Sequence, residues 1–343
     1  MRRRSLLWGL GAALSASGLG PGASGAGAGA VAGPLGKDQL KPSPWASPLG
    51  TSPLGTPPPL RPGSRVLAIA PGTWWEDAAT EGERLQQRFA AAGWSLEIPA
   101  ATAGRWRWFS ASDSERLKLL QRAWADPGID AVVAVAGGWG SARLLEAGWQ
   151  PGPRPQWLVG FSDVSALLLA QLAAGNGGGI HGGLQGDDAA WARLVALLRG
   201  ETVAPLQGVG WRGGVATGPL VVTNLTVATS LIGTRWWPPL AGCVLVLEDV
   251  GEEPYRVDRM LTQWRTAGVL EGVAGIGLGR FRWKQDDVQP GDLTMDEVLQ
   301  ERLGGLGVPL VAGLPVGHGQ PNLALPLGRL AHLDGQRGSL AVA

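Results

Sequence analysis

A serine surrounded by glycines stands where a buried strand is predicted to turn into a helix. Ser141 lies in the run 135–143, Val-Ala-Gly-Gly-Trp-Gly-Ser-Ala-Arg, after an apolar strand predicted over 130–136. A helix starting at Ala142 would direct its first backbone N–H groups at the serine oxygen, as an oxyanion site requires. Ligands bind at such strand ends in open α/β sheets. The pattern predicts a nucleophilic serine, although Arg143 breaks the usual G-x-S-x-G spelling.

Two other interpretations of this turn stay open on the residues alone. Gly138-Trp139-Gly140 could begin a dinucleotide-binding loop with Asp163 as ribose partner, but the third glycine of that fingerprint falls on Arg143. Ser141 could also simply cap the helix that follows it. Ser162 and Asp163 precede another predicted helix, so both N-capping and a place beside the site are consistent with them.

A serine nucleophile needs a base and an orienting acid, and the sequence contains only three histidines. His318 lies in a turn-rich loop, and loops held on a rigid frame often carry catalytic groups. His181 ends a possible strand, and His332 lies in an alternating strand near the C-terminus. Four carboxylates occur within positions 248–253, just after the apolar strand 244–247. Periodicity does not choose among them.

The bulk composition excludes several classes of partner. The 343 residues carry a net charge of +1 and no Lys/Arg-rich stripe, which argues against nucleic-acid binding. The single cysteine, Cys243, cannot form an internal disulfide and is too few for a structural zinc site. We expect neither a metal nor a cofactor.

The N-terminal region combines a segment that resembles a targeting signal with a stretch that is first Gly/Ala-rich and then Pro-rich. Arg2, Arg3 and Arg4 precede a short apolar stretch and then small residues, which are the three parts of a secretory signal. The paired arginines also resemble a twin-arginine signal. We expect residues 1–64 to be this signal-like segment and a disordered lead. Export is favoured, and a cytoplasmic enzyme with an uncleaved lead is the alternative.

From residue 65 onward, strand-like and helix-like segments alternate. Short apolar runs bounded by turn residues predict the strands, helical spacing predicts the helices, and Ser112 with Glu115 forms a capping box. This alternation is typical of a doubly wound α/β sheet. We predict an N-terminal domain over 65–199, a linker over 200–215 and a C-terminal domain over 216–343.

Seven separate blocks resemble the LD-carboxypeptidase family, which includes muropeptide carboxypeptidases and microcin C immunity peptidases. Each block alone is weak, but their order and spacing across residues 65–335 are specific. The blocks are Val135–Leu145, Gly160–Asp163, His181–Gly182, Asn224–Leu225, Leu247–Leu261, Gly275–Phe281 and Gly317–Asn322.

The resemblance implies a catalytic triad with Ser141 as nucleophile, His318 as general base and Glu248 as the acid that orients the imidazole. It selects Glu248 among the four neighbouring carboxylates. In such a triad the histidine takes the serine proton and later returns it to the leaving amine.

Four further positions are predicted to lie near the substrate. The backbone N–H groups of Ala142 and of Gly138 or a neighbouring glycine would be the oxyanion donors. Trp139 would pack over the substrate, with a merely packed indole as the alternative. Asn224 follows Thr223, where many relatives have a glycine, and could influence specificity.

The resemblance also implies a fold and an activity. The fold is a flavodoxin-like, doubly wound N-terminal domain with a second, smaller α/β C-terminal domain, commonly in a homodimer, with the triad shared between domains. The activity is that of a serine LD-carboxypeptidase releasing the terminal D-Ala of murein tetrapeptide. One alternative is a microcin C immunity-like peptidase that cleaves aminoacyl-nucleotide conjugates. Another is a non-catalytic peptide-binding protein on the same fold.

Overall fold

The computed structural model describes residues 54–284 and 291–343. The predicted signal and the lead up to residue 53 lie outside the described residues. Residues 54–64 differ from the predicted disordered lead, because they pack along the N-terminal domain. Trp157 Nε1–H donates to the Pro58 carbonyl oxygen at 2.8 Å, and Leu60 is buried. Within the described ranges no helix is long and apolar enough to cross a membrane.

A six-stranded sheet forms the centre of the N-terminal domain. Five of its strands are parallel, in the order β2-β1-β3-β4-β5, which is the flavodoxin-like order. They are β1 (Arg65–Ile69), β2 (Ser95–Glu97), β3 (Ala131–Ala134), β4 (Trp157–Gly160) and β5 (Gly179–His181). All residues of β3 and β4 are buried, as expected for strands covered by helices on both faces.

Six helices cover the two faces of this sheet and follow the predicted alternation. They are α1 (Ala78–Ala91), α2 (Ala100–Ala103), α3 (Asp113–Ala125), α4 (Ser141–Glu146), α5 (Ser165–Ala173) and α6 (Asp188–Leu198). The predicted capping box at the start of α3 is confirmed: Ser112 accepts from the Glu115 backbone N–H, and the Glu115 side chain bonds back to Ser112.

An eight-stranded mixed sheet forms the C-terminal domain. Its order is β6-β14-β13-β8-β9-β10-β11-β7, and the run from β8 to β11 is parallel. The strands are β6 (Leu206–Gln207), β7 (Val209–Arg212), β8 (Val215–Asn224), β9 (Val244–Val250), β10 (Gly275–Arg282), β11 (Leu310–Ala312), β13 (Leu330–Asp334) and β14 (Ser339–Val342). The helices are α7 (Leu225–Thr229), α8 (Pro254–Thr266) and α9 (Met295–Gly304). The predicted linker 200–215 therefore contains two strands of this sheet, because β6 and β7 pair with β14 and β11.

The two domains are joined by more than their connecting chain. The short strand β12 (Leu325–Pro326) leaves the C-terminal domain and pairs antiparallel with β5, where Leu325 lies opposite His181. α5 packs against β8 and α7, and the Ser165 hydroxyl accepts from the Asn224 backbone N–H at 3.2 Å. The segment that precedes β12 is thereby brought to the carboxyl ends of the N-terminal strands.

Candidate active site

The turn from β4 to α5 presents Ser162 in a strained backbone conformation. Phe161 is extended, Ser162 has φ 60°, and a single 3₁₀ turn over Ser162–Val164 leads into α5. A positive φ is uncommon for a residue other than glycine, and such strain clusters at functional sites. A sharp strand-to-helix turn with a half-buried serine at its apex resembles the geometry of a nucleophile elbow. Small neighbours make room for it: a Cβ added to Gly160 would lie 2.6 Å from Val164 Cγ1.

His318 reaches this serine from the loop between β11 and β12. Its Nε2 lies 3.1 Å from Ser162 Oγ. Gly317 and Gly319 flank it with φ 91° and 144°, values that favour glycine. Asn322 supports the loop from within, because its Oδ1 accepts from the Gly317 N–H at 2.9 Å.

The carboxylate of Glu248, near the end of β9, holds the other side of the imidazole. Glu248 Oε2 lies 2.7 Å from His318 Nδ1 and also accepts from the His318 backbone N–H at 3.2 Å. Burial of this fully enclosed side chain would raise its pKa, but interactions with His181 and His318 outweigh burial and lower the pKa to about 2. Glu248 is therefore an anion at neutral pH. Its position favours the tautomer that carries the proton on Nδ1 and leaves Nε2 free to accept the Ser162 proton.

Ser141, the predicted nucleophile, is not brought to His318, and that prediction is wrong. It is the first residue of α4 and its side chain is completely buried. Its hydroxyl makes no hydrogen bond of normal geometry to any described residue and lies near the Asp163 carboxylate. The helix that starts here uses its N-terminus to bind a carboxylate instead of exposing a nucleophile.

Asp163, next to Ser162, is the carboxylate bound at the start of α4. Its Oδ2 accepts from the Ser141 backbone N–H at 2.8 Å and its Oδ1 from the Gly140 N–H at 3.2 Å. Burial raises the pKa of Asp163, against the opposing effects of Ser141, Gly140 and Arg116. Capping of its own helix, which the sequence suggested, does not occur, because α5 has Val164 as N-cap and no side-chain cap. Asp163 instead ties the Ser162 turn to the glycine-rich turn after β3.

Arg116 on α3 is a buried support that the sequence did not reveal. Its guanidinium donates to the backbone carbonyl oxygens of Pro71, Ala111 and Gly140, and it is paired with Asp113. It therefore clamps the loop after β1 to the loop after β3. Only its spacing on α3, which places it inward, could have indicated this role.

The remaining predicted site positions divide between the site and the surface. Asn224 caps α7 by accepting from the Val227 N–H at 3.0 Å, and its Nδ2 lies 3.4 Å from Glu248 Oε1. Trp139 is 49% exposed. Ala142 packs partly against the core on α4, and Gly138 is exposed beside Thr73. Asn224 thus contacts the acid of the site, whereas Ala142 belongs to the turn that Asp163 occupies.

An open cavity of about 680 Å³ lies at this junction of the two domains. Its walls include Gly137, Phe161 and Gln185 from the N-terminal domain and Arg282 and His318 from the C-terminal domain. Among residues 54–284 and 291–343, no group of three or more His, Cys, Asp or Glu side chains is placed to hold a metal ion.

Comparison with known proteins defines the class. A model of the LD-carboxypeptidase N-terminal domain matches residues 66–182, and a model of the LD-carboxypeptidase C-terminal domain matches residues 217–333. The two α/β domains are thus those of a peptidase. The chain belongs to the LD-carboxypeptidase family.

Individual relatives agree with this assignment. A Synechocystis protein provisionally named a carboxypeptidase is 40% identical over 289 residues, covering 82% of this chain and 95% of its own. The murein tetrapeptide carboxypeptidase of Pseudomonas aeruginosa is 32% identical over 294 residues, covering 80% and 94%. The structure of muramoyltetrapeptide carboxypeptidase from Oxalobacter formigenes superposes with a TM-score of 0.70 at 26% identity, covering 81% and 98%. A microcin self-immunity protein shares the fold, with a TM-score of 0.71 at 19% identity over 84% and 98% of the two chains.

Proposed function

We propose that this protein is a serine L,D-carboxypeptidase whose triad is Ser162, His318 and Glu248. The observation that carries the proposal is the pair of contacts made by one imidazole. His318 lies 3.1 Å from the Ser162 hydroxyl through Nε2 and 2.7 Å from the buried Glu248 carboxylate through Nδ1. A nucleophile bonded to a base, and a base bonded to an orienting acid, is the arrangement that serine hydrolysis requires.

The geometry implies the following proton path. His318 Nε2 takes the hydroxyl proton as Ser162 Oγ attacks the carbonyl carbon, and Glu248 stabilises the imidazolium that forms. When the tetrahedral intermediate collapses, Nε2–H gives its proton to the leaving amine and an acyl-enzyme remains. A water then loses a proton to Nε2 and attacks the ester, and the same proton returns to Ser162 as the acyl group leaves.

Backbone N–H groups beside Ser162 are the proposed oxyanion donors. In an elbow the N–H of the residue after the nucleophile, here Asp163, supplies one donor, and a loop from a neighbouring strand supplies the other. The glycine loop after β3 is close enough, because a Cβ added to Gly137 would lie 3.1 Å from Ser162 Cβ. We assign the second donor to the Gly138 N–H, whose peptide partner, the Gly137 carbonyl oxygen, is held by the Thr73 N–H at 2.9 Å.

The proposed substrate is a murein tetrapeptide that loses its terminal D-Ala. Relatives named for this activity include the Pseudomonas protein, and a carboxypeptidase must recognise a free carboxylate. Arg282 lines the cavity and would supply the cation. For Arg282→Gln we expect KM for tetrapeptide to rise about tenfold with little change in kcat, because the lost contact is made equally in ground and transition states.

Two measurements on the purified full chain test this function. Release of D-Ala from tetrapeptide is followed by chiral analysis, with an aminoacyl-nucleotide conjugate as the competing substrate. A fluorophosphonate is then used to inactivate the enzyme, and the modified peptide is identified by mass spectrometry. We expect D-Ala release and a single adduct on Ser162. Preferred cleavage of the conjugate would support the microcin-immunity alternative, and the absence of any adduct would support a non-catalytic binding protein.

We also propose that the protein is exported, on the basis of its arginine-led N-terminal segment. An exported enzyme would meet the cell wall itself, whereas one in the cytoplasm would act on recycled murein fragments. The N-terminal residue of the mature protein distinguishes the two, because cleavage within the first 64 residues is expected only for the exported form.

A further inference from the structure

A second histidine approaches the triad acid from the opposite domain. His181 is the last residue of β5, and its side chain is fully buried. Its Nε2 lies 3.6 Å from Glu248 Oε1. Neither ring nitrogen has a hydrogen-bond partner elsewhere in the described part of the chain. A buried polar ring without a partner is unfavourable, so its placement against a carboxylate requires an explanation.

The two oxygens of Glu248 are unequally satisfied. Oε2 accepts from both the ring and the backbone N–H of His318. Among residues 54–284 and 291–343, Oε1 has only one hydrogen bond, from the Asn224 amide at the long distance of 3.4 Å. An ionised carboxylate has about four acceptor positions, so Oε1 has room for a second donor. A movement of about 0.4 Å would bring His181 Nε2 within normal hydrogen-bond range.

We propose that His181 is a positioning residue whose Nε2–H donates to Glu248 Oε1 and so orients Oε2 toward His318. The acid would then be held between one imidazole from each domain, His181 on β5 and His318 on the loop before β12. This inference rests on the triad proposed above and extends it. It makes the orientation of the base depend on docking of the two domains.

The contact has a predictable electrostatic consequence for His318. A donor on Oε1 draws part of the Glu248 charge away from Oε2, so loss of the donor would strengthen the attraction between Glu248 and a protonated His318. Glu248, on β9, is the titratable side chain that faces His181. The elements packed against β5, namely β4, β12 and α5, carry no titratable side chain. The Phe161 ring lies near both imidazoles, with its centroid 5.0 Å from that of His318 and 6.1 Å from that of His181.

Three variants separate positioning from packing. His181→Leu keeps bulk and removes the donor, whereas His181→Gln keeps an N–H near the position of Nε2. His332→Leu removes an exposed histidine that bonds Thr217 on the neighbouring strand of the C-terminal sheet, and serves as the matched control. For His181→Leu we expect kcat for D-Ala release to fall about ten- to hundredfold. KM should stay within about threefold, and the acidic limb of the kcat/KM profile should move to higher pH. His181→Gln should recover most of kcat and the original limb.

Equal losses in the leucine and glutamine variants, or an unchanged profile in His181→Leu, would overturn the proposal. If the leucine variant does not fold, ¹⁵N-histidine NMR of the full wild-type chain decides, because only three imidazoles must be resolved. Protonation of His181 at Nε2 supports the proposal, and protonation at Nδ1 alone overturns it. Failure of the proposed function would instead appear as absence of D-Ala release by the wild type. The rate of fluorophosphonate labelling against pH would then replace turnover.

Discussion

Two neighbouring turns of the N-terminal sheet look alike in sequence and make different contacts. The turn after β3 contains three glycines and places Ser141 at the start of α4, whereas the turn after β4 contains none, follows Gly160 at the end of that strand, and places Ser162 before α5. The helix N-terminus after β3 binds a side-chain carboxylate. The turn after β4 has the strained serine that faces a base. The glycine-rich turn therefore holds a carboxylate, and the proposed nucleophile lies on the turn that contacts His318.

The largest expected effect comes from removing the hydroxyl group of Ser162, with removal of the Ser141 hydroxyl as the comparison. Ser162→Ala should lower kcat for D-Ala release by about 10³-fold or more, because no other hydroxyl is held against His318 among the described residues. Ser141→Ala should stay within about threefold of wild type, since its hydroxyl has no well-formed hydrogen bond there. Steady-state kinetics on both variants decide the matter. Comparable losses would mean that the turn after β3 takes part in catalysis.

Two buried carboxylates should give opposite dependences of the unfolding free energy on pH. Glu248 contacts His318, and Asp163 binds the turn after β3. Glu248 has its pKa lowered from 4.5 to about 2, so its contribution to stability is present above pH 4.5 and lost as pH falls toward 2. That contribution is on the order of 3 kcal/mol, from 1.36 kcal/mol per pKa unit. Asp163 has its pKa raised by burial, so its contribution is most favourable below its unfolded value of 3.8 and declines as pH rises.

Urea unfolding of Glu248→Gln and Asp163→Asn between pH 2 and pH 6 tests this contrast. Relative to wild type, the first variant should lose the stability that wild type gains between pH 2 and 4.5. The second variant should lack the decrease in unfolding free energy that Asp163 causes in the wild type as pH rises above about 4. Parallel profiles for the two variants would show that the two carboxylates do not differ in this way.

The sequence predicted the fold better than the site, for a physical reason. Strands and helices depend on local patterns, such as the apolar runs of β3 and β4 and the capping box at Ser112, and these were located to within a few residues. Glu248 and His318 were identified from the family resemblance, and the structure brings them together. The choice between Ser141 and Ser162 depends on which serine faces His318, a contact between residues 156 positions apart. No local pattern contains that information.

The same limit explains why the predictions for Asp163 and for the linker 200–215 differ from the structure. Asp163 looks like a cap for the helix that follows it, but its carboxylate reaches α4, which only the packed structure shows. Residues 200–215 look like a connector because their strands are short. They are ordered by β14 and β11, which come more than 90 residues later in the chain.

The space that the second turn needs can be removed by one methyl group. A Cβ on Gly160 would lie 2.6 Å from Val164 Cγ1 and 3.1 Å from Ala134 Cβ, so Gly160→Ala should destabilise the fold by about 1–3 kcal/mol. Gly304→Ala is the matched control, because a Cβ there meets nothing within 4 Å and alanine favours α9. Urea midpoints measure both. A Gly160→Ala protein as stable as the control would show that the turn after β4 can accommodate the added methyl group.

The smallest expected effect tests whether the first turn contacts substrate at all. Trp139 is half exposed, is absent from the walls of the cavity, and is held by a backbone hydrogen bond from its N–H to Thr73 Oγ1 at 3.2 Å. Because that bond does not involve the indole, Trp139→Ala should preserve the loop. We expect kcat and KM for tetrapeptide to change by less than about threefold, in keeping with surface substitutions outside a site. A tenfold rise in KM with unchanged unfolding free energy would mean that the indole packs on the substrate. The glycine-rich turn would then be a binding element, and the division between the two turns would be one of binding and catalysis.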